Sequence, residues 1–151
     1  MRRSVSGVLA ALLILAGPSG AQAFKMQALE RLTAKDACRD CDLAGILMED
    51  AKLAGVSMID ANVTAATFDS ANLKNADLRR ADLSAVDFAN ANLTNARLQD
   101  SNLSGALFWN TDLTGANLTG ARYGPAMIAE ITYCRTTMPS GRVRRPNCSG
   151  S

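Results

Sequence analysis

Ala71-Asn72-Leu73-Lys74-Asn75-Ala76-Asp77-Leu78-Arg79-Arg80-Ala81-Asp82-Leu83 decides the fold of this chain. A leucine returns every fifth residue, an alanine stands two places before it, and an acid or amide sits between them. Followed outward, the same step meets Leu43, Met48, Leu53, Met58, Val63, Phe68, Leu73, Leu78, Leu83, Phe88, Leu93, Leu98, Leu103, Phe108, Leu113, Leu118 and Tyr123, all of them apolar. On an α-helix five residues advance about 500°, which scatters such positions around the cylinder. On a flat strand an odd period throws them onto alternating faces. The chain must therefore turn once per repeat to bury them all. Ala-Asx-Leu reads as a short extended piece pointing in, out and in, and the next two residues form a corner. Gly45, Gly55, Gly105, Gly115 and Gly120 stand at that corner, with Asn75, Asn90, Asn95, Asn110, Asp50, Asp60 and Asp100 at equivalent places. These types tolerate turn conformations. Ala65, Arg80 and Ala85 do not share that preference, so the corners are not all expected to be one kind of turn.

Sustained in tandem from Cys41 to Tyr123, units such as Ala71-Asn72-Leu73-Lys74-Asn75 and Ala91-Asn92-Leu93-Thr94-Asn95 make the chain resemble the pentapeptide-repeat family. The resemblance implies an all-β fold: a right-handed quadrilateral β-helix with four repeats per coil, its central Leu or Phe and preceding Ala pointing inward. Residues twenty apart then stack. Met48, Phe68, Phe88 and Phe108 fall in one interior column, and Leu43-Val63-Leu83-Leu103-Tyr123, Leu53-Leu73-Leu93-Leu113 and Met58-Leu78-Leu98-Leu118 fall in the others. Phe68, Phe88, Phe108, Leu73, Leu83 and Leu93 are the expected heart of the core. Truncating Phe88 to alanine is expected to cost about 3–5 kcal/mol, and truncating the outward Asn92 under about 1 kcal/mol.

Residues 1–23 have the parts of a secretory signal: Arg2 and Arg3, the apolar run Val8 to Ala16, a Gly17-Pro18-Ser19-Gly20 break and the small residues of Ala21-Gln22-Ala23. The apolar run is too short to span a bilayer, so no stable membrane insertion is expected after cleavage near Phe24. Residues 24–40 form an expected N-terminal cap, with Met26, Leu29 and Leu32 spaced for a short amphipathic helix. Residues 41–123 form the solenoid. Residues 124–151 form a C-terminal cap, in which Pro125 to Ile131 leaves the five-residue pattern and Met138-Pro139-Ser140-Gly141 turns between two short strands. Cys38 and Cys41 lie before the rod, and Cys134 and Cys148 after it. An even cysteine count in an exported chain favours disulfides. Because the rod separates the two pairs, Cys38–Cys41 and Cys134–Cys148 are the expected bonds.

Composition narrows the function. With 16 basic and 14 acidic residues and no histidine, loss of Arg2 and Arg3 leaves a formally neutral chain, and triads or metal sites built on histidine are excluded. No dense basic stripe suits nucleic acid. Cys38-Arg39-Asp40-Cys41 has the spacing of a redox motif but lacks the helix-opening context of one. No cofactor, metal or catalytic residue is expected. Arg79, Arg80 and Arg97 beside Asp60, Asp77 and Asp100 suggest exposed ion pairs. Leu47, Leu107 and Trp109 fall on outward positions; Leu107 and Trp109 are expected under the C-terminal cap, or else form a partner surface. The leading expectation is a non-enzymatic protein of the bacterial periplasm that presents its surface to a protein partner or scaffolds the envelope. Family members that mimic DNA and occupy a topoisomerase offer another role, but it calls for a strongly acidic cytoplasmic rod.

Overall fold

A computed structural model of the chain describes Leu32 and residues 38–124, 131–145 and 148. The expected signal segment and nearly all of the expected N-terminal helix lie outside these residues. Leu32 is described, and it is buried in the common core.

The backbone winds so that residues twenty apart pair in parallel. Four rows of bridges result. The first runs Asp42–Asn62–Asp82–Asn102, and the second Leu47–Thr67–Asp87–Leu107. The third runs Lys52–Asn72–Asn92–Asp112–Thr132, and the fourth Ser57–Asp77–Arg97–Asn117–Thr137. Strand β1 (Asn102–Leu103) carries the first row onto β2 (Arg122–Tyr123) in the same parallel register. Between rows, each corner is closed by a turn hydrogen bond such as Ala76 N–H to the Leu73 carbonyl (3.0 Å).

The corners are more uniform than their composition suggests. Every fifth residue from Asp40 to Gly120 has positive φ, the conformation a type II turn requires at this position. Ala65 (54°), Arg80 (58°) and Ala85 (55°) share it with the glycines and asparagines, which corrects the expectation of mixed turns. The turn is imposed by the ladder on both sides, and the residue that occupies it pays a local cost of about 1–2 kcal/mol when it carries a Cβ.

A census of amides explains the polar residue of the repeat. In the unit Ala71 to Asn75, the Ala71 amide closes the preceding corner on Phe68. Those of Asn72, Leu73 and Asn75 reach the Ala51, Asn92 and Thr94 carbonyls of neighbouring coils. The Lys74 amide has no carbonyl to meet, and the Asn72 side chain accepts it instead (3.2 Å). The same Asx contact recurs from Asp42, Asn62, Asp77, Asp82, Asp87, Asn92, Asn102, Asp112 and Asn117 to the amide two residues on. Buried or bent backbone polar groups have to be satisfied somewhere, and this side chain completes the set.

Inside, Phe68, Phe88 and Phe108 stack, with ring centroids 5.7 and 5.2 Å apart. Offset stacking of this kind adds about 0.5–1.5 kcal/mol per pair beyond burial. Leu73, Leu83 and Leu93 are fully buried. Ser101, Thr111 and Thr136 stand where alanine is usual, and each hydroxyl donates to a backbone carbonyl, of Leu98, Phe88 and Leu113 respectively.

The repeat frame reaches beyond residues 41–123 at both ends. Cys38 takes a central inward position, is fully buried, and is bonded to Cys41, which is also inward. Thr132 and Thr137 stack on Asp112 and Asn117, and buried Tyr133 and the partly buried Met138 occupy central positions. Sequence reading ended the pattern at Tyr123 because Pro125 and its neighbours obscure the step that Tyr133 and Met138 resume. Tyr123 itself is 41% exposed rather than interior. Val143, twenty residues on, does not cover it, because β3 (Thr136–Thr137) turns through residues 138–142 into antiparallel β4 (Val143–Arg144). Cys134 is bonded to Cys148, with Cα atoms 4.8 Å apart.

Two predictions follow from the core and the corners. Phe88→Ala should lower unfolding free energy by about 3–5 kcal/mol. Asn92→Ala should cost about 1 kcal/mol, more than its outward position implies, because Asn92 accepts both the amide and the hydroxyl of Thr94. Equal losses on chemical denaturation would sink the in-out assignment. At the corner, Ala85→Gly should be neutral to stabilising by up to about 1 kcal/mol, relief of strain outweighing added chain entropy. Ala85→Val should be destabilising; a more stable valine variant would mean the corner is not left-handed.

Candidate functional site

The second row differs from the others in what its outward residues do. Thr67 and Asp87 are half-buried, whereas Leu47 and Leu107 stand at the position that most other repeats fill with an Asx residue and that Lys52, Ser57, Thr67, Arg97 and Arg122 fill with other polar side chains. The two leucines are exposed, at 50% and 57%, and Trp109, on the corner next to Leu107, is 56% exposed. That exposure corrects the expectation that Leu107 and Trp109 lie under the C-terminal segment. Of the described part of that segment, Thr132 and Thr137 stack on the third and fourth rows, and residues 125–130, which join the first row to the third, lie outside the described residues. A leucine cannot accept a hydrogen bond, so no side chain supplies the contact that the Asx residue gives in other repeats. The fold therefore gains nothing from leucine here that asparagine would not supply better.

The charged residues singled out in the sequence gather at the corner after the fourth row. Arg79 donates twice to Asp77 (2.7 and 2.7 Å), and Arg80 twice to Asp60 (2.6 and 2.8 Å). Arg39 lies 3.3 Å from Asp60, and Arg97 3.7 Å from Asp77. Asp100 makes no ion pair among the described residues. The Arg80 hydrogen bonds hold the Asp60 carboxyl below its ordinary value, against a smaller opposing effect of desolvation. Desolvation is the largest single influence on Asp77 and pushes it up, but the Arg79 hydrogen bonds and the nearby guanidinium charges outweigh it. Both carboxylates are thus ionised and already engaged. These solvent-facing pairs contribute little individually, and they leave no bare cationic patch for an anion.

Chemistry has little purchase elsewhere. The Cys38–Cys41 bond is enclosed in the first coil, Cys38 fully buried and Cys41 nearly so, whereas a redox cysteine needs an accessible, electropositive setting. Among the described residues no cluster of three or more His, Cys, Asp or Glu is placed to hold a metal ion, and no helix is long and apolar enough to cross a membrane. The aspartates of the first row are occupied, Asp42 and Asp82 accepting from Asn62 and Asn102 of the coil above. Sequence reading identified the outward residues but missed the Asx contacts. The signal for them was the restriction of that position to acids and amides in most repeats.

Solved structures with the same architecture place these features in context. The chain is similar to a pentapeptide repeat protein, Rfr23, from the cyanobacterium Cyanothece 51142, at 26% identity over 64% of this chain and 79% of that one, with a TM-score of 0.62. It is also similar to HetL, a pentapeptide repeat protein involved in heterocyst differentiation regulation in Nostoc sp. strain PCC 7120, at 27% identity and a TM-score of 0.55. That match covers 72% of this chain but only 49% of HetL. Comparison with curated proteins returns no match. A family model described as a pentapeptide repeat region matches residues 32–108, and with the twenty-residue parallel register and its β-helical relatives this establishes that the chain belongs to the pentapeptide-repeat family.

Proposed function

We propose that this chain is an exported, non-enzymatic pentapeptide-repeat protein that acts by presenting one wall of a right-handed, four-sided rod to a protein partner in the bacterial periplasm. The disulfide-stapled hairpin after Tyr133 shields one end of the rod from end-on pairing. The observation that carries the reading is Leu107: an exposed leucine in place of a hydrogen-bonding Asx residue, beside an exposed tryptophan. Tryptophan is enriched among residues that dominate interface energies. Local stability has been forgone where binding has a use for apolar surface, a common trade at functional positions. Export is supported by Arg2-Arg3, Val8 to Ala16 and Ala21-Gln22-Ala23, and by two disulfides, which persist in oxidising compartments.

Leu107→Asn separates folding from function. The new amide restores the missing contact to the Trp109 N–H, so stability should rise by about 0.5–1.5 kcal/mol while partner binding is lost. A photo-crosslinking residue placed at Trp109 should form an adduct in cells, and one at Lys52 on the third row should not. Absence of any adduct at Trp109, or equal adducts from Lys52, overturns the assignment of this wall. N-terminal sequencing of the periplasmic protein should return Phe24; recovery of Met1 from the cytoplasm alone removes the extracytoplasmic role.

A further inference from the structure

Charge on the second row is as uneven as its hydrophobicity. Residues 44–50, 64–70, 84–90 and 104–110, which make that row and its flanking corners, include Glu49, Asp50, Asp69 and Asp87 but no lysine or arginine. The ion pairs of the described residues, Arg39 and Arg80 with Asp60 and Arg79 and Arg97 with Asp77, involve none of these four carboxylates. Asp69 accepts from Ser70 and Asn90, and Asp87 from the Ala89 amide; among the described residues all four negative charges are without an ion-pair partner.

The complementary surface is present on the same molecule. Residues 131–145 contain Arg135, Arg142, Arg144 and Arg145 and no acid. Arg142, Arg144 and Arg145 are exposed, and Val143 among them is 52% exposed. Among the described residues strand β4 pairs only with β3, on one edge. The hairpin begins at Thr137 on the fourth row, and the fourth and second rows are separated by a row on either side. A copy cannot fold its own hairpin across to its own second row; another copy can supply it.

We infer that the protein self-associates tail to side, the basic hairpin of one copy seating on the acidic, apolar second row of the next. This rests on the reading that the Leu107 and Trp109 wall is the interaction surface. Val143 of the second copy meets Leu107 and Trp109, and its arginines face Asp87 and Asp69. The dimensions agree. Four extended residues reach roughly 13 Å, and the two coil spacings from Leu107 down to Thr67 amount to about 10 Å. The contact is heterologous, each copy offering both surfaces, so growth is not limited to a pair. Its area is that of one strand on one wall, below a standard interface, so association is weak and reversible. Its charged component makes it sensitive to salt.

Sedimentation velocity of the purified, oxidised chain tests this across roughly 5–500 μM, at about 0.02 M and about 0.5 M salt. The expected result is a sedimentation coefficient that climbs with concentration at low salt and much less at high salt. Leu107→Ala/Trp109→Ala, at exposed positions the core does not use, should weaken association at least about tenfold. Arg142→Glu/Arg144→Glu should do the same, and combining Arg144→Glu with Asp69→Lys should restore part of it. A chain that stays monomeric throughout, or an oligomer indifferent to both sets of substitutions, overturns the proposal. Crosslinking at Trp109 keeps the two readings apart. An adduct of twice the chain mass supports self-association, and an adduct only to a different protein overturns it while leaving the wall as the interaction surface. No adduct at all removes both.

Discussion

Each five-residue unit of this protein has five backbone amides to satisfy and only four carbonyls in position to do it. Two partners lie across the ladder at Asn72 and Leu73, one at the left-handed corner residue Asn75, and one closes the turn at Ala76. The remaining amide, that of Lys74 in this unit, is met by the side chain of Asn72. Ten units satisfy it in this way, so the Asx residue is structural rather than decorative. The four backbone partners recur from coil to coil, and a unit held by them can stack on copies of itself.

Stacking also explains why a few corners tolerate residues such as Ala65, Arg80 and Ala85 that lack the preference of the others. An isolated turn with positive φ would select glycine or asparagine, but here the ladder above and below fixes the geometry before the side chain is consulted. Arg80 accepts a left-handed backbone, and from there its guanidinium meets Asp60, twenty residues earlier. The strain is small beside the burial of a continuous column such as Phe68, Phe88 and Phe108, whose members lose their contacts together if one coil shifts.

A structure in which nearly every position has an assigned task makes its exceptions informative. Leu47 and Leu107 lack the Asx contact, as do Lys52, Ser57, Thr67, Arg97 and Arg122, but of these outward residues only the two leucines leave apolar surface in water, and the row that carries them lacks any cation. The charged corner at Arg79 and Arg80 looks more like a site in the sequence, yet its groups already neutralise one another. The enclosed Cys38–Cys41 bond is likewise part of the first coil, not a reactive group awaiting a partner.

The five-residue step, the inward columns and the local pairing of cysteines were legible in the sequence, because each depends on residues at fixed short separations. A period incompatible with helix and flat strand admits few solutions, and alternating polarity says which side faces in. The acids and amides of the outward position were visible as well, but not their hydrogen bonds. An acceptor two residues from an amide becomes a partner only when a corner folds one onto the other. Tertiary structure alone decided that Ala85 and Arg80 adopt the same corner as glycine, since the ladder imposes it. It alone decided that Tyr133 and Met138 resume the coil while Tyr123 is left partly exposed, since stacking twenty residues away overrides the local break at Pro125. And it alone decided that Leu107 and Trp109 are exposed, because coverage depends on residues distant in sequence rather than on their own repeat.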